Sequence, residues 1–265
     1  MIEPFLKWPG GKRWLVSRYS ELFPQKYKRY FEPFLGGGAV FFSLLPKQGC
    51  LSDSNAELIN AYHCLKTRYT EIERGLARYH ERHCSDFYYK VREEQSHDPL
   101  KRAIRFLYLN RTCFNGIYRV NLNGVFNVPI GTKTAVRFEE GYLKTVAAAL
   151  KRTTIRVRDF EDSINDAKRG DFVYVDPPYT VMHNNNGFVK YNAKLFSWPD
   201  QSRLARALKS ADARGVLIML SNADHPSVRA LYDGFGTPKM LSRHSVLSAD
   251  SSFRRSATEL LITNY

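Results

Sequence analysis

Short apolar runs alternate with helical segments along most of this 265-residue chain, and this alternation limits the fold more than any other feature of the sequence. The runs end at turn residues, and the segments between them have the apolar spacing of helices. Strands separated by helices predict an α/β protein with a doubly wound, mainly parallel sheet that is covered on both faces. The predicted strands are residues 30–34, 50–53, 154–157, 171–176, 215–220 and 259–263.

The alternation is interrupted between the second and third of these strands. Segments with helical periodicity run from Thr70 to about Leu109, and a stretch rich in asparagine and glycine follows. We interpret residues 56–139 as an inserted segment made of helices and a hairpin. Residues 1–55 and 140–265 then form the domain that carries the sheet.

The charge balance favours a polyanionic partner. Forty Lys and Arg residues against 26 Asp and Glu residues give a formal net charge of +14, which is typical of proteins that bind nucleic acid or, less often, an anionic membrane surface. Residues 99–138 contain no acidic residue at all. The cations of this basic block are Lys101, Arg102, Arg105, Arg111, Arg119, Lys133 and Arg137, and its aromatic residues include Phe106, Tyr108, Phe114, Tyr118 and Phe126.

Two interpretations of the basic block stay open. Arg and Asn make bidentate contacts to guanine and adenine edges in the major groove, and the pair Asn123 and Gly124 is typical of a hairpin tip narrow enough to enter it. The alternative is a solvated helical face followed by a polar hairpin.

Membrane, secretion and metal functions are disfavoured by the sequence. No apolar run reaches about 18 residues and no apolar signal core precedes the first motif, so we expect a cytoplasmic protein. The four cysteines are widely spaced, which favours free thiols. No metal is expected, because the spacing of the histidines and cysteines fits no standard zinc signature. The residues concerned are His63, Cys64, His80, His83 and Cys84.

The clearest chemical signal is Asp176, Pro177, Pro178 and Tyr179, which directly follow an apolar strand and are called the Asp-Pro-Pro-Tyr turn below. Ligands of an open parallel sheet gather at the carboxyl ends of its strands. The Asp176 carboxylate and the Pro177 carbonyl can accept the hydrogens of an exocyclic amino group and direct its lone pair at an electrophile. The prolines stiffen the turn, and Tyr179 offers a plane on which an extruded base can stack. The alternative is a strand that simply ends in a Pro-Pro turn.

Two further motifs suggest a nucleoside-type ligand. Phe34 precedes three glycines, residues 36–38, that open a helix, and Asp53 ends the next predicted strand, where it can bind ribose hydroxyls. The spacing G-x-G-x-x-G is absent, which disfavours a dinucleotide. Residues 5–12 place aromatic side chains beside two glycines and Lys12 without the spacing of a phosphate-binding loop.

Taken in order, these motifs resemble the Dam-type DNA adenine-N6 methyltransferases, which use S-adenosylmethionine, and the resemblance covers nearly the whole chain. It implies a Rossmann-like methyltransferase fold, with residues 1–55 and 140–265 as the catalytic domain and residues 56–139 as the DNA target-recognition domain. The catalytic residues would be Asp176, Pro177, Pro178 and Tyr179. The cofactor residues would be Trp8, Lys12, Phe34, Gly36, Asp53, Asp159, Phe160 and Asp176. Lys7, Phe114, Asn115 and Arg119 would contact double-stranded DNA.

The recognition sequence implied by the resemblance is GATC-like. Many relatives that recognise GATC carry Arg after an Asn-Val-Pro-aromatic-Gly run, whereas this chain continues with Ile130, Gly131, Thr132 and Lys133. We therefore expect methylation of a flipped-out adenine in a site that overlaps GATC or relaxes one of its outer positions. We also expect a monomer, with a restriction endonuclease as a possible partner in the same system.

Two other functions are weighed. Related tetrapeptides also serve guanine-N2 methylation of ribosomal RNA, and a catalytically silent DNA-binding protein would account for the charge and the hairpin. A cytosine-C5 enzyme is disfavoured because no cysteine follows a proline.

Two polar segments near the carboxyl terminus suggest contacts made on binding. Residues 183–187 are polar and end in glycine, which predicts a mobile loop beside the Asp-Pro-Pro-Tyr turn. Residues 242–256 contain six serines together with Arg254 and Arg255, and they predict a basic arm for DNA phosphates. An ordinary surface hairpin is the alternative.

Overall fold

The computed structural model of the chain describes residues 2–116, 118–121, 125–181, 196–244 and 256–265. The chain forms two compact units, and each is assembled from separate stretches of sequence. The first unit comprises Met1–Val16, Leu35–Lys47 and Asp53–Val157, and the second comprises Ser17–Phe34, Gln48–Ser52 and Arg158–Tyr265. The predicted boundaries of the recognition segment at residues 56 and 139 concern DNA recognition and stay a prediction.

The strands form one seven-stranded sheet in the order β3-β2-β1-β4-β5-β7-β6. β1 pairs in parallel with β2 and β4, and β4 pairs in parallel with β5, whereas β7 runs antiparallel to both β5 and β6. The predicted α/β class with a mainly parallel sheet is therefore confirmed. The strands are β1 (Tyr30–Glu32), β2 (Gly49–Asp53), β3 (Thr153–Val157), β4 (Phe172–Val175), β5 (Leu217–Ala223), β6 (Thr237–His244) and β7 (Ser256–Thr263).

The strand order reverses at the neighbours β1 and β4. From β1 the order leads outward through β2 to β3, and from β4 it leads outward to β5 in the opposite direction. Ligands of open α/β sheets bind outside the carboxyl ends of the strands at such a reversal.

β6 is a strand that the apolar runs do not predict. It lies at the edge of the sheet, where β7 is its neighbour, and it contains Pro238, Lys239 and a Met240 that is 62% exposed. Edge strands tolerate proline and carry charges that block further pairing, so they need no continuous apolar run.

Helices occupy most of the sequence between the strands, including the predicted helical segments of the insertion. They are α1 (Arg13–Arg18), α2 (Ala39–Leu44), α3 (Ala56–Glu81), α4 (Ser85–Glu93), α5 (Pro99–Thr112), α6 (Tyr142–Leu150), α7 (Phe160–Asn165), α8 (Trp198–Ala213) and α9 (Pro226–Leu231). The start of α5 illustrates how the sequence sets the boundaries. Asp98 accepts hydrogen bonds from the N–H groups of Leu100 and Lys101, and Pro99 occupies the first helical position.

Each unit has its own core. In the first unit, α3 packs against α5 so closely that a Cβ on Gly75 would lie 2.3 Å from Cδ1 of Ile104. In the second unit, α7, α8 and α9 cover one apolar face of β4, β5 and β7, to which Val173, Ile218 and Ile262 belong. No helix in the described part of the chain is long and apolar enough to cross a membrane.

The four cysteines are free thiols, as the sequence predicts. Cys64 and Cys113 are buried, whereas Cys84 is exposed and accepts a hydrogen bond from the N–H of Phe87 at the start of α4. Within the described ranges, no group of three or more His, Cys, Asp and Glu side chains could hold a metal ion.

Candidate active site

The Asp-Pro-Pro-Tyr turn begins at the carboxyl end of β4, the central strand of the sheet, and so lies at the reversal of strand order. Asp176 and Tyr179 are half-buried, and Pro177 is buried. Because proline has no N–H to donate, the parallel ladder ends here and the chain turns out of the sheet. Thr180 then anchors the far side of the turn, since its buried hydroxyl donates to the carbonyl of Phe196 over 2.6 Å.

The hydroxyl of Tyr179 lies 3.2 Å from Oγ of Ser221 at the end of β5. Ser221 in turn donates to Oε2 of Glu259 on β7 over 3.3 Å. Sequence reasoning missed both Ser221 and Glu259. The available signal was a polar residue directly after the apolar run of β5 and an acid at the start of the last apolar run.

Carboxylates lie near a buried hydroxyl group beside the turn. The hydroxyl of Tyr174, on β4, is fully buried and makes no hydrogen bond within the described part of the chain. Burial raises its pKa well above the ordinary value, and the nearby carboxylate of Asp176 raises it further. A carboxylate in such a place is a strong acceptor for N–H groups.

In the first unit, the glycine turn before α2 packs against Trp8. Gly36 has a φ of +47°, and a Cβ there would lie 2.7 Å from Cδ1 of the Trp8 indole. Tyr62 fixes the same residue from another side, because its hydroxyl donates to the Gly36 carbonyl over 3.0 Å. The indole thus occupies the space beside Gly36 that a side chain would need.

Asp53 orients the glycine turn through its carboxylate. Oδ2 accepts the N–H of Gly36 at 3.1 Å, and Oδ1 accepts the N–H of Asn55 at 2.9 Å. Burial raises the pKa of Asp53, and the backbone hydrogen bonds oppose that shift. The carboxylate also accepts the N–H of Ser54, and because its two oxygens offer about four acceptor positions, the group can still receive a hydroxyl.

Lys12 is buried, with 3% of its surface exposed, and its Nζ donates to the carbonyl of Gly10 over 2.9 Å. Gly10 has a φ of +79°, so the residues before α1 form a tight turn that only glycine adopts easily. The structure places Trp8 and Lys12 on this short segment.

In the second unit, Phe34 and Phe160 lie side by side. Their rings stack with centroids 5.3 Å apart. Asp159 begins α7 by accepting the N–H of Glu161, and its exposed carboxylate also pairs with Arg203 at 2.7 Å. Arg203 lies over the Phe160 ring, 4.7 Å from its centroid, so a fixed guanidinium and two aromatic rings surround this end of α7.

Asn110, near the end of α5, joins this helix to the segment before α1. This buried side chain accepts the N–H of Lys7 at 3.0 Å and donates to the carbonyls of Lys7 at 2.8 Å and Gly116 at 3.3 Å. The Lys7 side chain packs over Gly116, where a Cβ would lie 2.3 Å from its Cδ. Partial desolvation and the cations Lys133 and Arg111 lower the pKa of Lys7 to about 8.

Phe114 and Asn115 follow α5 and are exposed, Phe114 by 54%. Asn115 has a φ of +55°, a left-handed conformation that asparagine adopts more readily than most residues. Antiparallel bridges join Cys113 to Ile130 and Val120 to Phe126, as expected for a hairpin. Its predicted tip at Asn123 and Gly124 lies outside the described residues, as do residues 183–187 and the two arginines 254 and 255.

Four of the seven cations of the basic block make contacts within the protein, and the role of the block as a DNA surface stays a prediction. Arg102 pairs with Glu57, and Arg105 donates to the carbonyl of Val91 over 2.8 Å. Arg111 donates to the carbonyls of Ala135 and Arg137, and Arg137 itself pairs with Glu81 at 3.3 Å. Arg119 and Lys133 remain exposed.

The aromatic residues of the block are also mostly structural. Tyr118 stacks on Trp8, and its ring centroid lies 4.3 Å from that of Phe106 and 4.8 Å from that of Phe126. These three rings and that of Tyr108 are buried. The sequence pattern of interleaved cations and aromatics is therefore largely a core with ion pairs around it, and Phe114 is the exception among these five rings.

Residues 8–245 match the family described as D12 class N6 adenine-specific DNA methyltransferase. The chain belongs to this family. It is 36% identical to Type II methyltransferase M1.LlaDCHI of Lactococcus lactis subsp. cremoris, with 100% of this chain and 96% of the relative covered. It is 37% identical to Type II methyltransferase M.MjaIII of Methanocaldococcus jannaschii, with 100% and 99% covered. It is also 34% identical to the DNA adenine methylase of Escherichia coli K12, with 97% and 93% covered.

Membership of the D12 class gives the chain an adenine-specific DNA methyltransferase activity and does not favour the ribosomal RNA enzyme or the silent DNA-binding protein. The family implies S-adenosylmethionine as methyl donor. The residues present fit that group within each unit, since a half-buried carboxylate of the first unit can still accept a ribose hydroxyl and two stacked aromatic rings of the second unit offer a surface for an adenine. These residues are Asp53, Phe34 and Phe160.

Proposed function

We propose that this D12-class protein transfers a methyl group from S-adenosylmethionine to N6 of an adenine that is flipped out of duplex DNA, within a GATC-like site. The observation that carries the proposal is the position of the Asp-Pro-Pro-Tyr turn at the carboxyl end of the central parallel strand, beside the reversal of strand order. The half-buried Tyr179 beside it supports base flipping, since an extruded base needs an aromatic face.

Asp176 and Pro177 would activate the amino group. Each N6 hydrogen would be accepted by one oxygen, from the Asp176 carboxylate or the Pro177 carbonyl, which draws the nitrogen towards tetrahedral geometry and frees its lone pair. Asp176 would also receive the proton that N6 loses on methylation.

S-adenosylmethionine would supply an electrophilic methyl group when it is bound. Asp53 would accept the ribose hydroxyls, and Phe34, Asp159 and Phe160 would contact the adenine of the cofactor. Trp8 and Lys12 would support the glycine turn at Gly36, because the indole packs on that turn and Lys12 fixes the segment before α1.

The test is a methylation assay with labelled S-adenosylmethionine and duplex DNA, in which the digested nucleosides are identified by mass spectrometry. We expect N6-methyladenine from the wild type and none from Asp176→Ala, whose DNA affinity and circular dichroism should be unchanged. A parallel reaction contains ribosomal RNA in place of the duplex, and N2-methylguanine formed there would instead support the RNA enzyme. Absence of any methylated nucleoside would support the silent DNA-binding protein.

Sequence specificity would depend on the exposed side chains of the recognition segment. Arg119 can bind guanine O6 and N7 together, a contact worth about 1 to 3 kcal/mol of discrimination. Lys7, Phe114 and Asn115 would contact the site, and Thr132 cannot replace an arginine. We expect the preferred site to overlap GATC or to relax one of its outer positions, measured on duplexes varied one base pair at a time. Strict GATC methylation that Thr132→Arg leaves unaltered would contradict this.

A role in a restriction-modification system is supported by the names of two relatives, which are Type II methyltransferases. Methylation of one recognition site would then protect host DNA from an endonuclease of the same specificity. We propose that the enzyme acts as a monomer, which size-exclusion chromatography with light scattering would test.

A further inference from the structure

Ser221 and Glu259 lie on the sheet face opposite the apolar core of the second unit. In the register of β5 and β7, Ser221 stands opposite Leu261, and Ala223 stands opposite Glu259. Directly opposed residues share a face, so Ser221 and Glu259 are diagonal neighbours on one face. They are 1% and 2% exposed, and the Ser221 hydroxyl donates to Oε2 of Glu259.

The direction of the hydrogen bonds follows from the chemistry of the groups. A carboxylate accepts and cannot donate, so Ser221 must give its single proton to Glu259. The Ser221 oxygen can then only accept from Tyr179, whose hydroxyl lies 3.2 Å away. A relay therefore runs from the Tyr179 hydroxyl through the Ser221 hydroxyl to the Glu259 carboxylate.

The relay lies beside the reactive end of the Asp-Pro-Pro-Tyr turn. Tyr174 shares the face of Ser221, because its register partner Met219 is two residues before Ser221 on β5. The carboxylates of Asp176 and Glu259 both act on the Tyr174 hydroxyl. The Asp176 carboxylate, which would hold the amino nitrogen, and the Glu259 carboxylate at the end of the relay thus lie near the same buried hydroxyl.

We propose that Ser221 and Glu259 are positioning residues, which fix the ring plane of Tyr179 before a target adenine arrives. This inference rests on the proposed function. The prolines and the Thr180 hydroxyl bond hold the backbone around Tyr179, but the ring can still rotate about its side-chain bonds. When the stacking surface is already fixed, binding of the base does not have to order it. The fixed ring also keeps the base aligned with Asp176.

The test is a double-mutant cycle on Tyr179→Phe and Ser221→Ala in the full-length protein. We expect each single variant to lower kcat about three- to tenfold, the value of one neutral hydrogen bond, with KM for DNA changed less than twofold. The double variant should be no slower than the slower single variant, because Ser221 acts through the Tyr179 hydroxyl. Glu259→Gln keeps an acceptor for Ser221 and should retain most of the activity.

The matched control is Ser163→Ala. It removes the buried hydrogen bond between the hydroxyls of Ser163 and Ser52, which lie 3.0 Å apart in the same unit. It should lower the melting temperature about as much as Ser221→Ala does, without changing kcat. A readout independent of turnover is the fluorescence of 2-aminopurine at the target position, which stacking on Tyr179 quenches. We expect weaker quenching in Ser221→Ala with S-adenosylhomocysteine present.

Additive losses in the cycle would overturn the inference, because Ser221 would then act without Tyr179. Full activity and full quenching in Ser221→Ala would overturn it as well. In both cases a wild type that forms N6-methyladenine leaves the proposed function intact. A wild type that forms none refutes the proposed function, and the inference fails with it.

Discussion

Alanine at Gly36 should destabilise the protein strongly, because this position has neither the backbone freedom nor the space that a side chain needs. Its φ of +47° lies in the left-handed region, which costs an L-residue about 1 to 2 kcal/mol. A Cβ would stand 2.7 Å and 2.9 Å from two ring atoms of Trp8, and overpacking of this kind costs about 1 to 3 kcal/mol. We expect the free energy of unfolding to fall by about 2 to 5 kcal/mol.

Cofactor affinity should fall in the same variant. To relieve the contact, the turn or the indole must move, and the bond from the Gly36 N–H to Asp53 lengthens or breaks. One hydrogen bond to a charged group is worth about 1.5 to 3 kcal/mol, so we expect S-adenosylhomocysteine to bind at least about tenfold more weakly. Isothermal titration calorimetry measures this directly.

The measurement of stability is urea unfolding followed by circular dichroism, with Gly141→Ala as the control. Gly141 has a φ of +74°, and a Cβ there would have no atom of the described residues within 4 Å. Gly141→Ala therefore introduces the backbone strain without the contact, and its free energy of unfolding should fall by about 1 to 2 kcal/mol. Equal losses in the two variants would show that the Trp8 contact costs nothing and would refute the reasoning.

Three further predictions concern DNA binding and the recognition segment. Lysine is charged below its pKa, and the pKa of Lys7 is about 8. DNA affinity, measured by fluorescence anisotropy, should therefore fall between pH 7 and pH 9. Lys7→Met should bind DNA weakly, and its affinity should change less with pH. Asn110→Ala leaves buried partners unsatisfied and should lower the free energy of unfolding by about 2 to 3 kcal/mol. The control Asn60→Ala, at a half-buried position, should lower it by about 1 kcal/mol or less. Removing Arg254 and Arg255 should flatten the salt dependence of binding by about one unit for each lost phosphate contact, with sequence preference unchanged.

The position of the Asp-Pro-Pro-Tyr turn could be predicted because the information is local. An apolar run that ends in Asp-Pro-Pro marks the end of a strand, and general rules of open sheets place such an end at a ligand site. The partner of Tyr179 could not be predicted in the same way. Ser221 is 42 residues away, and its link to Glu259 spans a further 38 residues. Those contacts depend on the register of two antiparallel strands, which the sequence does not state.

The basic block shows a different limit. Its charge is visible in the sequence, but charge alone does not reveal which cations already have partners. Arg102 finds Glu57 across 45 residues, and Arg111 turns inward to backbone carbonyls. Both pairings follow from the packing of α5 against α3 and the chain after the hairpin, which the sequence does not state.

Three motifs that the sequence presents separately are parts of one arrangement in the first unit. The indole of Trp8 packs on Gly36, and the N–H of Gly36 donates to Asp53. The close packing of the indole leaves no room for a side chain at position 36. The presence of glycine there does not by itself indicate a ligand. Its effect on a ligand is indirect, because the close packing holds the turn at the place where Asp53 accepts its N–H. A substitution at Trp8 or Gly36 should therefore change the orientation of the Asp53 carboxylate, and cofactor affinity should respond even where the altered side chain makes no contact with the cofactor.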